Sequence, residues 1–309
     1  MGMITSIILL IVGFVLMVRG ADVFVDGAVS VAKRFHIPTL IIGTTLVAIG
    51  TSAPEAAISI TAALKGTAGV SIGNVIGSNI TNVFLILGTT AVIGAIPITQ
   101  NTKKYELPFV GFITLLLCVA GLWLGVVSRP VAFGFLGLFL CFIGYTIFMA
   151  RRGFTPDSEY QEFSIAHTTV MIIAGIIALV WGSNMTVDAA TDIATRLGVS
   201  DRIIGLTIIA IGTSLPELVA SVAAAIRNEY DLAVGNIIGS NIFNILFVLG
   251  TAAAIHPIPF SPAFVTDGAI ALLAIVMLMI FAAKNSRISR FGGIVFLVSY
   301  AAYILYLVR

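Results

Sequence analysis

The chain has 309 residues, of which 59% are hydrophobic and only 10% are charged. An ordinary soluble domain carries roughly a quarter charged residues, so this composition excludes a soluble globular protein. The formal charge is +2, and no run of basic residues offers the phosphate-binding surface of a nucleic-acid-binding protein. The sequence therefore predicts a protein whose main partner is the lipid bilayer, without a nucleic-acid partner and with no evident obligatory protein partner.

A helix that spans a bilayer needs about 20 predominantly apolar residues. Stretches of about this length follow one another along the chain. The charge-free stretches are 1–18, 35–54, 66–102, 107–128, 130–150, 163–187, 232–266, 268–283 and 291–308. Glu55 alone interrupts 35–64, and Glu217 alone interrupts 203–226. Counting the two longest stretches as one helix and a loop each, we predict an all-α integral membrane protein with ten transmembrane helices.

The distribution of Lys and Arg predicts which side of the membrane each loop faces. With both termini outside, eleven of these residues lie in inside loops and five in outside segments, in keeping with the positive-inside rule. The polar segment 151–165 is then a cytoplasmic linker between a first half, 1–150, and a second half, 166–309. We therefore expect a multi-pass protein of the cell membrane.

The two halves contain a repeated segment. Residues 20–88 align without a gap onto residues 182–250 at a constant offset of 162, with 30 of the 69 positions identical. The motif AIGTSAPE at 48–55 recurs as AIGTSLPE at 210–217, and GNVIGSNITN at 73–82 recurs as GNIIGSNIFN at 235–244. Because each half holds five spans, an odd number, the second copy enters the membrane from the opposite side. Inverted repeats of this kind are typical of secondary transporters, whose binding site lies between the repeats near the bilayer midplane.

Glu55 and Glu217 are the only carboxylates that we place deep inside predicted spans. Burying an ionised group in hydrocarbon is costly, so such residues are functional candidates by default. No Lys or Arg lies in either span to balance the charge. A bound cation can supply the counter-charge, or a proton can remove the negative charge, and two carboxylates match one divalent ion.

Hydroxyl residues accompany both glutamates and favour a hard cation. Helical spacing places three of them on the face of each glutamate. They are Thr51, Ser52 and Ser59 in the first repeat and Thr213, Ser214 and Ser221 in the second. Oxygen ligands without neighbouring Cys or His suit Ca²⁺, Na⁺, Mg²⁺ or Mn²⁺ rather than Zn²⁺ or Cu²⁺.

The other residue types that often bind metals are scattered. His36, His167 and His256 lie outside the repeated motifs and are expected on the surface or in loops. Cys118 and Cys141 each lie in an apolar run and are expected to be small buried side chains rather than a disulfide or a metal site.

Proline adds candidate backbone ligands. Pro54 and Pro216 have no N–H, so the carbonyls of Gly50 and Gly212 lose their helical partners in mid-membrane. Irregular backbone at this depth is tolerated where it faces protein or a cavity, and in transporters it coordinates the coupling ion.

The second motif supplies packing surfaces and a second tier of candidate ligands. GxxxG pairs at 73/77 and 235/239 allow close approach of helices. Two residues of another helix face are candidate ligands in each repeat, namely Ser78, Asn82, Ser240 and Asn244. For Asn74, Asn79, Asn236 and Asn241 the sequence leaves ion contact and interhelical hydrogen bonding equally open.

These doubled motifs resemble the cation/Ca²⁺ exchanger superfamily, and within it the sodium/calcium exchangers of the prokaryotic type, whose two repeats carry GTSxPE followed by GNxxGSN. The resemblance implies ten helices, with the second, third, seventh and eighth enclosing the ions and the first and sixth sliding for alternating access. It also implies a Ca²⁺ site at Glu55, Glu217 and the carbonyls of Thr51 and Thr213. The flanking Na⁺ sites would use Ala48, Ser52, Ser78, Ala210, Ser214 and Ser240, with Asn82 and Asn244 lining the middle.

One position departs from the resemblance. Many relatives, including the potassium-dependent branch, carry Asp where this chain has Asn244. An amide supplies no third negative charge, which disfavours potassium co-transport and leaves the Na⁺ stoichiometry open.

The sequence thus predicts a secondary antiporter that exchanges Na⁺ for Ca²⁺ as transported ions, without an organic cofactor. Exchange of Ca²⁺ or another divalent cation for protons, with the same glutamates as proton carriers, is the alternative. An ion channel would need an open file of ligands. An enzyme that used the paired carboxylates for hydrolysis would need a nucleophile or substrate motif, and the chain shows none beside them.

Overall fold

The computed structural model describes residues 2–151, 163–199 and 210–308, and these residues are almost entirely helical. The α-helices are α1 Met3–Arg34, α2 Thr39–Ile42, α3 Ala48–Thr51, α4 Ala53–Leu64, α5 Gly69–Thr81, α6 Gly88–Ile93, α7 Leu107–Leu124, α8 Arg129–Arg151, α9 Ile165–Arg196, α10 Ala210–Gly212, α11 Leu215–Ile226, α12 Tyr230–Phe243, α13 Gly250–Ile255, α14 Pro262–Asn285 and α15 Arg290–Val308. Four π-helical segments join some of them end to end: Gly43–Val47, Asn82–Leu87, Thr102–Glu106 and Asn244–Leu249.

The helices confirm the all-α membrane fold. Eight continuous helices in the described part of the chain are long and apolar enough to span a bilayer. A ninth candidate is the broken pair Thr39–Thr51 and Ala53–Leu64, which bends by 51°. The apolar helix α11 lies where the second half of the seventh span is predicted, and residues 200–209 before it lie outside the described residues.

Two helices are much longer than their charge-free stretches. The first stretch ends at residue 18, and the predicted orientation assigns Arg19 to a loop, which is wrong, because α1 continues to Arg34. Helix α9 likewise continues past residue 187 to Arg196. At 1.5 Å per residue each helix is about 48 Å long, longer than the roughly 30 Å hydrocarbon core, so their ends extend into the interfaces or the helices tilt.

The boundaries of the elements reproduce the repeat. Met3–Arg34 and Ile165–Arg196 are related by the offset of 162, and so are Ala53–Leu64 and Leu215–Ile226. The division into 1–150, 151–165 and 166–309 stays a prediction, since residues 152–162 of the linker lie outside the described residues.

Two short antiparallel sheets connect the halves. Strand β1, Ile96–Pro97, pairs with β4, Arg287–Ile288, and strand β2, Val126–Val127, pairs with β3, Ile258–Pro259. Each pair joins a connection in one repeat to a connection in the other. Paired strands must lie on the same side of the membrane, and the ten-helix inverted plan places both members of each pair there.

The core lies around the third and eighth spans. Large apolar side chains from α5 and α12, such as Ile72, Ile80 and Ile242, are inaccessible to solvent. The outer helices instead expose apolar residues, with Trp123 86% and Trp181 64% exposed. Apolar exposure on this scale fits a lipid-facing surface. Cys118 and Cys141 are both free, but Cys141 is exposed, so its predicted burial is wrong because this face of α8 points outward.

Candidate cation-binding site

Both glutamates lie at the start of a helix that follows a break. α3 ends at Thr51, Ser52 leaves helical geometry (φ −83°, ψ 11°), and α4 begins with Pro54 in its first turn. Ser214 takes nearly the same angles (φ −90°, ψ 6°) before α11. Proline is well tolerated in a first turn because the N–H that it lacks would have no helical partner there. Each break therefore starts a new helix whose N-terminal dipole favours an anion, and it places a glutamate in that first turn.

The two glutamates are buried, and each is hydrogen-bonded by a serine of the opposite repeat. Glu55 is 0% exposed and Glu217 is 1% exposed. Ser52 Oγ donates to Glu217 Oε1 at 2.7 Å, and Ser214 Oγ lies 3.4 Å from Glu55 Oε1. Helical spacing predicts that Ser52 faces Glu55 and that Ser214 faces Glu217. That prediction is wrong, because the break redirects both serines toward the glutamate of the other repeat.

Several buried oxygen atoms of this region have no hydrogen-bond donor among the described residues. They are Glu55 Oε2, Glu217 Oε2, Asn82 Oδ1 and Asn244 Oδ1. No Lys or Arg forms an ion pair with either glutamate in the described part of the chain. A buried acceptor without a donor is costly, and a cation bound to these oxygens would satisfy them.

The asparagines whose role the sequence leaves open form hydrogen bonds that hold the helices together. Asn74 Nδ2 donates to the Glu55 carbonyl at 3.2 Å and to Ser59 Oγ at 3.0 Å. Asn236 Nδ2 repeats this arrangement at Glu217 and Ser221, at 3.4 and 2.9 Å. The amide that links each glutamate helix to the next span is therefore the same in both repeats.

A second set of amide bonds crosses between the repeats. Asn82 Nδ2 donates to Asn241 Oδ1 at 2.9 Å, and Asn244 Nδ2 donates to Asn79 Oδ1 at 3.2 Å. Asn79 Nδ2 also donates to the Asn241 carbonyl at 3.3 Å. These bonds use the Nδ2 groups of Asn82 and Asn244, whose oxygens keep no donor among the described residues. Both residues begin a π-helical segment, a feature that is frequent at functional sites.

The remaining candidate ligands lie close to the same residues in most cases. Ser78 Oγ lies 3.4 Å from Glu55 Oε1, whereas Ser240 Oγ lies 3.5 Å from Asn236 Oδ1 rather than near a glutamate. Ala48 is fully buried in α3. Ala210 begins α10, and its side chain lies outside the described residues.

The described contacts of the threonines and of the carbonyls before the prolines include one hydrogen bond in each repeat. The Thr51 hydroxyl donates to Asn236 Oδ1 at 3.1 Å, while Thr213 is half-buried in the break after α10. The Gly212 carbonyl, for which the sequence predicts no helical donor, accepts a hydrogen bond from Ser183 Oγ at 2.8 Å. That carbonyl is therefore satisfied by α9, and the carbonyls of Thr51 and Thr213 stay candidate backbone ligands.

The second GxxxG motif permits very close packing between the repeats. A Cβ atom added at Gly239 would lie 2.5 Å from the Thr44 Cα and carbonyl oxygen, and one at Gly235 would lie 2.5 Å from the Leu40 carbonyl oxygen. The equivalent partners of Gly73 and Gly77, around residues 202–206, lie outside the described residues. The close approach predicted for the second motif is thus confirmed.

Other residues that could bind a metal lie elsewhere. His36, His167 and His256 are exposed, as expected. In the described part of the chain no group of three or more His, Cys, Asp or Glu residues is placed to hold a metal ion. The candidate site therefore has two carboxylates, and its other oxygens come from hydroxyl, amide and carbonyl groups.

A third carboxylate, Glu106, is buried although the sequence does not predict it. Glu106 is 2% exposed at the end of the π-helical segment Thr102–Glu106, where it accepts a hydrogen bond from the Tyr145 hydroxyl. Its Oε2 atom has no hydrogen-bond partner among the described residues. Because Glu106 follows Lys103 and Lys104, the charge pattern places it in a loop. Its burial depends on the helix that begins at Thr102, which the charge pattern does not predict.

We expect Tyr145→Phe to lower the free energy of unfolding by about 1–3 kcal/mol, since it removes a donor from a buried carboxylate. Thermal unfolding in detergent measures the effect. Tyr105→Phe is the matched control, because the Tyr105 side chain is 46% exposed and its change should stay within about 0.5 kcal/mol. Equal unfolding temperatures for the two variants would contradict a stabilising role for the Tyr145–Glu106 hydrogen bond.

Comparisons with known proteins agree with this architecture. The sequence model of the family described as "Sodium/calcium exchanger protein" matches residues 5–148 and 167–309. CaxA from Alkalimonas amylolytica, described as a putative antiporter, is 41% identical over 97% of this chain and 98% of its own length. The sodium/calcium exchanger MaX1 from Methanosarcina acetivorans is 33% identical over 98% of both chains. A solved structure of the sodium-calcium exchanger NCX_Mj superposes with a TM-score of 0.86 at 34% identity, covering 99% of this chain and 100% of that chain.

Proposed function

The chain belongs to the sodium/calcium exchanger family, and on this premise we propose that it exchanges Na⁺ for Ca²⁺ across the membrane by alternating access. Membership makes it a transporter and not an enzyme. The coupling ion and the individual ligands are the proposed part. Two relatives named as sodium/calcium exchangers, MaX1 and NCX_Mj, match over nearly the whole chain and support it.

The observation that carries the proposal is the pair of buried glutamates without a counter-charge among the described residues. Glu55 and Glu217 each keep one oxygen without a donor there, although both side chains are enclosed. A Ca²⁺ ion would neutralise two carboxylates, and two Na⁺ ions would do so equally. Both ions prefer oxygen ligands, and the described side chains that contact the two glutamates offer oxygen atoms.

We propose that the ligands come in equal measure from both repeats. Glu55, Glu217, Asn82 and Asn244 would supply the oxygens that have no donor, and the Thr51 and Thr213 carbonyls would complete a central site. Flanking Na⁺ positions would use the residues beside the breaks and on the third and eighth spans: Ala48, Ser52, Ser78, Ala210, Ser214 and Ser240.

Exchange follows from competition for one set of charges. When Na⁺ and Ca²⁺ neutralise the same two carboxylates, one must leave before the other binds, and either occupied form can change its access. The unoccupied site would carry two uncompensated charges into a dry environment, which is costly. Because of that cost, the empty protein rarely changes the side of the membrane to which its site is open. Ca²⁺ movement in one direction is therefore coupled to Na⁺ movement in the other. If more than two Na⁺ move per Ca²⁺, transport also carries net charge and responds to voltage.

We expect proteoliposomes that contain the full chain and are loaded with Na⁺ to take up ⁴⁵Ca²⁺ when diluted into Na⁺-free medium. Liposomes without protein and proteoliposomes loaded with choline are the controls. Addition of monensin, which dissipates the Na⁺ gradient, should stop the uptake. Uptake of equal size in the Na⁺-loaded and choline-loaded vesicles would refute Na⁺ coupling.

A pH gradient provides the test of the alternative. Choline-loaded vesicles with an acidic interior should show no uptake above the protein-free control if Na⁺ is the coupling ion. Uptake driven by that gradient in the absence of Na⁺ would instead assign the glutamates as proton carriers for divalent cation exchange.

A further inference from the structure

An ion-pair cluster connects α1 to the turn between α11 and α12. Arg227 Nη2 lies 3.0 Å from Asp22 Oδ1, and Arg227 Nη1 contacts Asp26 Oδ1. The three side chains are only 25–36% exposed. One guanidinium thus bridges two carboxylates that are one helical turn apart on α1. We call this cluster the Arg227 bridge.

The repeat contains a counterpart of the Arg227 bridge that is not formed. The offset of 162 places Lys65 at the position of Arg227 and Asp188 at the position of Asp26, while Asn184 replaces Asp22. Lys65 and Asp188 are both exposed, and the described part of the chain shows no ion pair for either. A basic and an acidic residue are therefore retained at the equivalent positions, but they are apart in this structure.

Helix packing shows the same difference. α1 packs along α11, and Ala220 and Ala224 of α11 are buried in the same apolar cluster as Ala28 of α1. The equivalent helices, α9 and α4, have no comparable contact between their described residues. Ile58, the counterpart of Ala220, is accordingly 40% exposed. The structure is thus closed between α1 and α11 and open between α9 and α4.

α1 and α9 pack closely along each other, so we expect them to move as one unit. Their backbones touch at glycines, since a Cβ at Gly13 would lie 2.8 Å from the Gly182 carbonyl oxygen and one at Gly175 would lie 2.9 Å from the Gly20 carbonyl oxygen. Ser6 donates to Asp192 at 2.5 Å near one end of the pair. A shift of this unit that brings α9 onto α4 therefore takes α1 away from α11.

We propose that Lys65 and Asp188 are positioning residues that form an ion pair, the Lys65 bridge, in the conformation open to the opposite side of the membrane, where the Arg227 bridge is broken. The inverted plan places the two turns at opposite faces, so each bridge closes one face. This inference rests on the proposed alternating access, but it does not depend on which ion drives the exchange.

The two bridges are unequal. Arg227 meets two carboxylates through a planar, forked group, whereas Lys65 would meet one carboxylate through a point charge, with the neutral Asn184 beside it. Partly exposed ion pairs shift an equilibrium by up to about fivefold each. The difference favours the conformation seen here when no ion gradient acts.

Cross-linking of paired cysteines tests the geometry. Ion-paired Arg or Lys and Asp side chains can hold their backbones beyond the reach of a direct disulfide, so a short, reducible bifunctional thiol reagent is the probe. In a full chain carrying Cys118→Ala and Cys141→Ala, we expect it to bridge Asp26→Cys/Arg227→Cys and Lys65→Cys/Asp188→Cys in proteoliposomes, and each cross-link to stop exchange until it is reduced. The four single-cysteine variants are the controls. Absence of a Lys65→Cys/Asp188→Cys cross-link when the other pair forms would overturn the proposal, and so would a cross-link that leaves exchange unimpaired.

Charge reversal separates an ion pair from a merely structural contact. Lys65→Glu and Asp188→Lys should each slow exchange by about two- to fivefold, and the double variant should restore the rate. Lys65→Arg should keep it. A double variant as slow as the single variants would refute the ion pair. Cross-linking tests which conformations the protein adopts, whereas ⁴⁵Ca²⁺ uptake under Na⁺ or proton gradients identifies the coupling ion. Failure of Na⁺ coupling and failure of this inference are therefore distinguishable.

Discussion

Glu55→Gln and Glu217→Gln, each as a single change, are expected to reduce Na⁺-driven ⁴⁵Ca²⁺ uptake by about 100-fold or more, to the level of protein-free liposomes. Loss of a hydrogen-bonding partner behind a metal ligand already costs about 10–100-fold in affinity, and these changes remove a charged ligand itself. Glutamine keeps the size of the side chain, but the site then carries a single negative charge against the two positive charges of Ca²⁺. Proteoliposome uptake, normalised to the amount of reconstituted protein, measures the effect.

Glu106→Gln is the matched control for this pair of variants. It makes the same substitution at a carboxylate that is also buried, and the carbonyl oxygen of the introduced amide can still accept the Tyr145 hydroxyl. We expect exchange at close to the original rate, because Glu106 binds Tyr145 of α8, outside the two motifs that carry the candidate ligands. Near-normal exchange in Glu55→Gln or Glu217→Gln, or an equal loss in Glu106→Gln, would contradict the assignment of the ligands.

Most of the fold could be predicted from hydropathy and the repeat, because lipid permits few structures other than helices. The ends of α1 and α9 could not. Hydropathy counts Asp22 and Asp26 as charges to be kept out of a span, but it does not register that Arg227, 201 residues or more away, pairs with both. Partners distant in sequence stabilise a charged helix segment at the membrane, and a single sequence does not reveal them.

The site could be predicted in composition but not in pairing. The doubled motifs contain the serines and asparagines that hydrogen-bond to the two glutamates in the described part of the chain. A regular helix would put Ser52 beside Glu55, yet the 51° bend at the break and the inverted second repeat bring Ser52 to Glu217. The break also explains the Gly212 carbonyl, which finds a donor, Ser183, on α9. Contacts between the repeats depend on how the helices are arranged in three dimensions, and the spacing of residues within one motif does not predict that arrangement.

The packing of the repeats against each other provides the second prediction. Gly239→Ala is expected to lower the free energy of unfolding by about 1–3 kcal/mol and to remove most of the Na⁺-driven uptake. The added Cβ would lie 2.5 Å from Thr44 main-chain atoms, a contact that side-chain rotation cannot relieve. Thr44 belongs to the π-helical segment Gly43–Val47, which leads directly into α3 and Ser52. Displacing this segment therefore displaces a donor of Glu217.

Gly137→Ala makes the same change where there is room. Gly137 lies in α8, is exposed, and would place its Cβ with no atom within 4 Å. Alanine is also the better helix former, so neither unfolding temperature nor exchange should fall. Thermal unfolding in detergent and ⁴⁵Ca²⁺ uptake, measured on both variants, give the comparison. If Gly239→Ala unfolds and transports like Gly137→Ala, the contact between α12 and Thr44 does not set the position of the ion ligands. If it loses uptake while keeping its unfolding temperature, the contact acts through the geometry of the site rather than through stability.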